Sequence, residues 1–426
     1  MGLPEKSWEF VFRFGACSSG RCDAEPPSGA GHSGSAGGDG SGILFGACTF
    51  KMVRFGGLQN STDVFVIGGG PAGLAVAIAA RQRGFRVMVA DGAEMPIDKA
   101  CGEGLMPDGL AALEKLGVSV EEDDSFPFRG IRFSSAGLAV AAAFPNGSSG
   151  RGMRRTVLHR LIADRAARLG IDLLWRTTVT GISSEGVELA GRTVKARWII
   201  GADGGNSRVR RWANLDQYRK RDRRYAFRRH YRIAPWTDHM ELYWGRKGEI
   251  YVTPVSKDQV CVALISHDPK LRLGEALLKF PELNARLGNA EATSSEKGAL
   301  TATCKLKRVS RGNVALIGDA SGTVDAITGE GLCLSFSQAM VLAECLEEGN
   351  LERYESEHRR LALRPLLMAR LMLLLHGRPR LQRRTLQALE KRPHVFERLL
   401  ELHVGVLSPL HLALDGLSLG WGLLTA

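Results

Sequence analysis

The chain has 426 residues, of which 44% are hydrophobic and 24% charged, and carries a formal net charge of +12. This apolar content excludes a chain too polar to bury a core, and the length exceeds what a single core usually serves, so two lobes are expected. The positive excess narrows the partners to anionic ones: phosphate-bearing ligands, an anionic membrane surface or nucleic acid.

In chain order, residues 1–60 stand apart. The run PPSGAGHSGSAGGDGSG (Pro26 to Gly42) cannot bury apolar surface and predicts a disordered Gly/Ser-rich extension. It lacks the pattern of a secretory signal. Met52 stands eleven residues before the first expected strand, so residues 1–51 are read as a non-native extension or a misassigned start.

The stretch DVFVIGGGPAG (Asp63 to Gly73) then opens a strand–helix–strand unit. Val64 to Ile67 reads as a buried strand, Pro71 suits the first turn of a helix, and Gly84 ends that helix. A second strand, Arg86 to Ala90, closes on Asp91. Gly68, Gly70 and Gly73 supply the G-x-G-x-x-G pattern in this context. The first glycine permits the tight turn, the second lets backbone approach a pyrophosphate, and the third lets helix pack on sheet. Pro71 and Ala72 complete the turn, whose helix N-terminus favours an anion. Asp91 is placed to accept hydrogen bonds from the hydroxyls of an unphosphorylated ribose, as in NAD or FAD.

Downstream, DKACGEGLMP (Asp98 to Pro107) reads as a loop before a short helix, and residues 131–144 as strand. Arg155 to Leu169 has the spacing of an amphipathic helix, and Ile171 to Ile200 offers three short strands. A second sheet is expected from about Tyr225 to Thr303, one more buried strand over Asn313 to Ile317, and helices from Gly331 onward. The eight cysteines are thinly spread, without zinc-ribbon or redox-dithiol spacing, and suit reduced thiols in the cytoplasm.

Three stretches together resemble the FAD-containing superfamily of geranylgeranyl reductases and p-hydroxybenzoate hydroxylase-like aromatic-ring hydroxylases. They are GGGPAG, GADGGNSRVR with Asp203, and GDASGTVDAITGEGL with Gly318 and Asp319, in the superfamily's order. The resemblance implies FAD as cofactor and an α/β fold: a glutathione-reductase-like, Rossmann-type FAD lobe, a second β-sheet substrate lobe and a helical C-terminus. The expected boundaries are 61–215 with 305–350 for the FAD lobe, 216–304 for the substrate sheet and 351–426 for the helical region. By resemblance Asp319 contacts the ribityl chain, Arg155 reaches toward the pyrophosphate, and Gly329, Gly331 and Leu332 open a helix at the N1/O2 side of the flavin. Cys101 is the candidate catalytic thiol, as a proton donor or pocket lining, because a cysteine in similar context lies near the flavin in the reductases.

Hydroxylases of the superfamily commonly carry a histidine and a proline in the third motif, where this chain has Gly322 and Ala326. CGEG (Cys101 to Gly104) and GEG (Gly329 to Gly331) look more like the reductase branch. The leading expectation is an FAD-dependent oxidoreductase acting on an apolar, prenyl-like small molecule. Hydroxylation of an aromatic or polyketide-like substrate and a non-catalytic flavin redox sensor are the alternatives. No second dinucleotide turn occurs in the sequence, so NAD(P)H is expected as a transiently bound electron donor. Tyr243, Trp244, Tyr251 and Pro254 are candidates for the floor of the substrate pocket.

Two regions hold much of the excess charge. YRKRDRRYAFRRHYR (Tyr218 to Arg232) reads as a charged outer sheet face, with no nucleic-acid partner expected. LALRPLLMARLMLLLHG (Leu361 to Gly377) is too interrupted to span a membrane. With the arginines that follow and the apolar LSPLHLALDGLSLGWGLL, two accounts stay open: a peripheral contact with anionic lipid, or helices packed over the FAD lobe.

Overall fold

The computed structural model describes residues 60–408. The expectations for residues 1–59 and for most of the terminal apolar stretch lie outside the described residues.

The first sheet grows from Ser61–Ile67, whose apolar residues Val64 to Ile67 are buried. A strand buried on both faces suits a parallel sheet covered by helices. It pairs in parallel with Val87–Ala90 on one side and Arg192–Gly201 on the other, Val66 standing opposite both Val89 and Ile200. Val314–Leu316 and Asp172–Leu174 extend the parallel array. Pro71–Gln82 packs against Gly331–Glu347 and Arg155–Arg168. The carboxyl ends of four strands thus run into Gly68, Asp91, Ala202–Asp203 and Gly318–Asp319 along one edge. That edge is where open α/β sheets bind their ligands.

The second sheet has eight strands, mainly antiparallel, built around Tyr218–Arg232, Gln259–Ser266, Gly248–Ser256 and Met240–Trp244. It also takes in the hairpin Gly130–Ser135 and Leu138–Ala143, which lies outside the expected 216–304 segment. Gly130–Ser135 pairs in parallel with Met240–Trp244, and no local pattern encodes a partner so distant in sequence. On one face of this sheet Tyr243, Ile250 and Val262 pack under Leu273, Leu277 and Leu283. On the other, Leu242, Trp244 and Tyr251 meet Ala369, Met372 and Leu386 of the C-terminal helices.

Those helices are Leu351–Leu375, Pro379–Lys391 and Pro393–His403. They pack on the second sheet and on Gly331–Glu347. Among the described residues, no helix is long and apolar enough to cross a membrane.

The basic strand corrects its expected orientation. Arg224 and Arg228 point inward and are each 1% exposed. Arg224 pairs with Glu249 and, at 2.8 Å, with Asp325, while Arg228 pairs with Asp98. Alternation along the strand holds, but three carboxylates from distant segments offset the desolvation that would otherwise turn these side chains outward.

Candidate cofactor and active site

The phosphate turn is built by steric exclusion. Gly68 has φ +113°, and a Cβ there would lie 2.4 Å from the Ala202 carbonyl oxygen. A Cβ on Gly73 would stand 1.9 Å from the Gly68 carbonyl oxygen, so helix and turn touch only because both positions are glycine. Gly70 is different: nothing lies within 4 Å of where its Cβ would be, and that space belongs to the cavity. Pro71 occupies the first turn of Pro71–Gln82, and no side chain caps the helix start. Its leading amides therefore face the cavity as an anion site.

Asp91 holds the turn from the next strand. Its Oδ2 accepts from the Gly69 amide at 2.7 Å and its Oδ1 from the Ala93 amide at 2.8 Å. A carboxylate retains further lone pairs for ribose hydroxyls. His159, buried on Arg155–Arg168, lies with Nε2 2.8 Å from the Gly69 carbonyl oxygen, and burial lowers its pKa. Neutral, it donates there and braces the turn; an apolar-face histidine carried no signal in the sequence.

The other two motifs arrive at the same edge. Asp203 Oδ2 accepts from the Arg208 and Val209 amides at 2.6 and 3.2 Å, while its buried Oδ1 has no partner. Gly318, at φ +59°, approaches Ala72 so closely that a Cβ would sit 2.7 Å from the alanine's. Asp319 forms a 2.8 Å ion pair with Lys99 across the cavity rim. Gly331 begins its helix facing open space with Leu332 beside it, whereas Gly329 is the left-handed end of the preceding turn Ala326–Thr328. Gly329 thus positions the helix start rather than opening the helix. Arg155 donates its amide to Glu103 Oε1 at 3.0 Å and leaves a buried Nε without a partner.

Gly68, Gly70, Pro71, Ala72, Asp91, Arg155, Asp203, Gly318, Asp319, Gly329, Gly331 and Leu332 all line one cavity of about 790 Å³, and Gly73 packs just behind it. The cavity continues to the second sheet, where Ala226, Tyr251, Ala263 and Ile265 form an apolar wall. Tyr251 is the one floor candidate that reaches it; Tyr243 faces the opposite core, and Trp244 stacks toward Phe133. Cys101 lies half-buried on the wall, its Sγ accepting from the Glu103 amide at 3.4 Å. Lys99, Glu103, Arg228 and Glu330 also line the cavity and were not singled out from the sequence.

Glu330, just before Gly331, is 2% exposed, and neither carboxylate oxygen has a well-aligned hydrogen bond. Burial pushes its pKa up to about 8, with Arg364 opposing and Asp108 adding to the rise. His403 Nδ1 lies 3.5 Å away, and burial pulls that imidazole down to about 4. The spacing alone suggests an ion pair, but both shifts describe a neutral couple. Without a hydrogen bond to offset desolvation, the neutral state is the sounder one.

The glycine-lined channel, the orphaned Asp203 Oδ1 and Arg155 Nε, and the exposed helix start suit a dinucleotide. In agreement, the FAD binding domain family model matches residues 61–364, and the chain belongs to that family. It is an FAD-dependent oxidoreductase with reductase relatives. A menaquinone reductase of Mycolicibacterium smegmatis is 29% identical over 326 residues, covering 70% of this chain and 80% of the relative. A digeranylgeranylglycerophospholipid reductase of Methanococcus vannielii is 26% identical over 328 residues, covering 70% and 80%. The crystal structure of a geranylgeranyl bacteriochlorophyll reductase-like protein from Thermoplasma acidophilum shares the fold, with TM-score 0.68, 20% identity and coverage of 81% and 100%.

Proposed function

We propose that this protein reduces a carbon–carbon double bond in an apolar, prenyl-bearing small molecule. The observation that carries the reading is the continuity of one cavity from the phosphate turn to an apolar wall of Ala226, Ala263 and Ile265. The relatives named as menaquinone and digeranylgeranylglycerophospholipid reductases support it.

Bound FAD supplies a hydride, and the residues around it hold, orient and protonate. Gly70 and the first turn of Pro71–Gln82 would take the pyrophosphate, Asp91 and Asp319 the sugar hydroxyls, and Arg155 would neutralise phosphate charge. The helix start at Gly331 would turn its leading amides toward the ring, where they would favour negative charge. Cys101 stands on the wall as lining or proton donor. NAD(P)H is the proposed electron donor, visiting the open rim. Peripheral contact with anionic lipid is proposed through the long helix, whose Leu363 and Leu374 are 63% and 54% exposed beside Arg370.

The test is anaerobic single turnover of photoreduced enzyme with a prenylated quinone, following product by mass. A product heavier by two hydrogens without O2 supports the reading. A product that forms only with O2 establishes hydroxylation instead. Co-sedimentation with phosphatidylglycerol vesicles at low salt tests the lipid contact, and its absence removes that part.

A further inference from the structure

The cavity meets the second sheet at a patch of small side chains. Ala226 stands opposite Ala299 on one neighbouring strand and Ile265 on the other, while Ala263 stands opposite Arg228 and Tyr251. Ala226, Ala263, Ala299, Ile265 and Tyr251 all line the cavity. Residues directly opposite, and those two apart along a strand, share a face, so the three alanines form one trough that crosses the strands. From the strand of Ala299 to that of Tyr251 is three strand spacings, about 14 Å.

The borders of the trough are held rigidly. Arg224 and Arg228 flank Ala226 on the same face, each 1% exposed. Arg224 pairs with Glu249 and, at 2.8 Å, with Asp325, and Arg228 pairs with Asp98. Breaking either arrangement would leave buried charge without a partner, so neither guanidinium is free to swing aside. Tyr251 closes the far end. Its hydroxyl donates to the Ile327 carbonyl, and its ring belongs to the same cluster as Leu242, Ala369 and Met372.

The chemistry of the trough decides what can fill it. Ala226, Ala263, Ala299 and Ile265 offer only C–H groups, as do Val324 and Ala326, which line the cavity from the third motif. The backbone of these strands is paired within the sheet. The Tyr251 hydroxyl is engaged, and Asp325 accepts from Arg224, Thr303 and the Ile327 amide. Arg224 and Arg228 each keep an unpartnered Nε, but both atoms are sealed within the protein. Thr301 also lines the cavity, yet it stands opposite Arg224, outside the trough. A quinone carbonyl, a phosphate or a hydroxyl placed here would lose its water and gain no hydrogen bond, whereas a hydrocarbon segment gives up nothing.

We infer that the trough receives the isoprenoid chain itself, with the polar head group left outside, and that Ala226 and Ala263 determine which chains are admitted. This rests on the reductase reading above for the chain's being a substrate, and deepens it by making the chain, rather than the head, the part that is recognised. Tyr251 is the end-stop of the inserted segment. Ala226 and Ala263 touch the chain and take no part in the chemistry.

The test is equilibrium binding of three labelled probes to the oxidised, FAD-loaded protein: a prenylated naphthoquinone, geranylgeranyl acetate, and the naphthoquinone ring without its chain. The two prenyl probes should bind within tenfold of each other, and the bare ring at least tenfold more weakly than either. Ala226 is half-buried and lines the cavity, so the added methyl groups of Ala226→Val and Ala226→Leu enter open space. Both variants should weaken the prenyl probes in order of side-chain volume, by at least tenfold for leucine, with FAD uptake by the apoprotein unchanged. A bare ring that binds as tightly as the prenylated one overturns the inference, as does wild-type prenyl affinity in Ala226→Leu. Loss of FAD uptake in both variants assigns the trough to the flavin ring and overturns it too. Failure of the reductase reading looks different: wild type binds both prenyl probes and accepts electrons but saturates no double bond, and the trough still stands as a chain-binding site.

Discussion

At the scale of single residues, two glycines of one turn make opposite demands. Gly73→Ala drives a Cβ to 1.9 Å from the Gly68 carbonyl oxygen and should destabilise the protein by roughly 1–3 kcal/mol, read from urea unfolding. Gly70→Ala meets nothing of the protein, so the apoprotein should unfold as wild type does. Its methyl instead enters the cavity where the pyrophosphate is proposed to lie, and FAD affinity should fall by about tenfold or more, roughly 1.4 kcal/mol, read by flavin fluorescence titration. Glu330 makes a pH prediction. Its folded pKa of about 8 exceeds its ordinary 4.5, so the folded state binds more protons between those values, and stability falls as pH rises through that window. His403 and His358, both lowered to about 4, act oppositely between about 4 and 6.5, where unfolding takes up their protons. Stability should therefore decline between about pH 6.5 and 8, and Glu330→Gln should remove that decline in pH-dependent thermal melts.

At the scale of elements, the strand Tyr218–Arg232 carries a charge network rather than a solvated face. Arg224 ties the second sheet to Asp325 of the third motif and to Glu249, which also meets His376 at the end of the long helix. Removing the guanidinium leaves two buried carboxylates uncompensated. Arg224→Met should destabilise by roughly 3–5 kcal/mol at neutral pH, less near pH 4 as the acids take protons, measured by urea unfolding at both pH values. Arg224→Lys, which keeps the charge but not the fork, should fall between. Charge density in a strand was visible in the sequence; its direction was not, because burial of Arg224 depends on Glu249 and Asp325, 25 and 101 residues away.

At the scale of the whole molecule, the cavity proposed to hold FAD is lined by segments that meet only on folding: the turn at Gly68, the strand end at Asp203 and the helix start at Gly331. FAD at a hundred times its dissociation constant should therefore raise folding stability by about 2.7 kcal/mol, seen as a rising melting temperature across an FAD titration. A melting temperature indifferent to FAD would refute the assembled site. Local patterns along the chain were enough to read the parallel strand–helix–strand core, the three motif glycine clusters and the acids at the strand ends. Those depend on local rules: period, helix punctuation and the conformations open only to glycine. Tertiary structure alone decided that Gly130–Ser135 joins the second sheet, that Tyr251 and not Tyr243 faces the cavity, and that Glu103 meets His230. Those contacts join positions far apart in the chain, and what selects them is the requirement that buried charges and sheet edges find partners, which no short window of residues records.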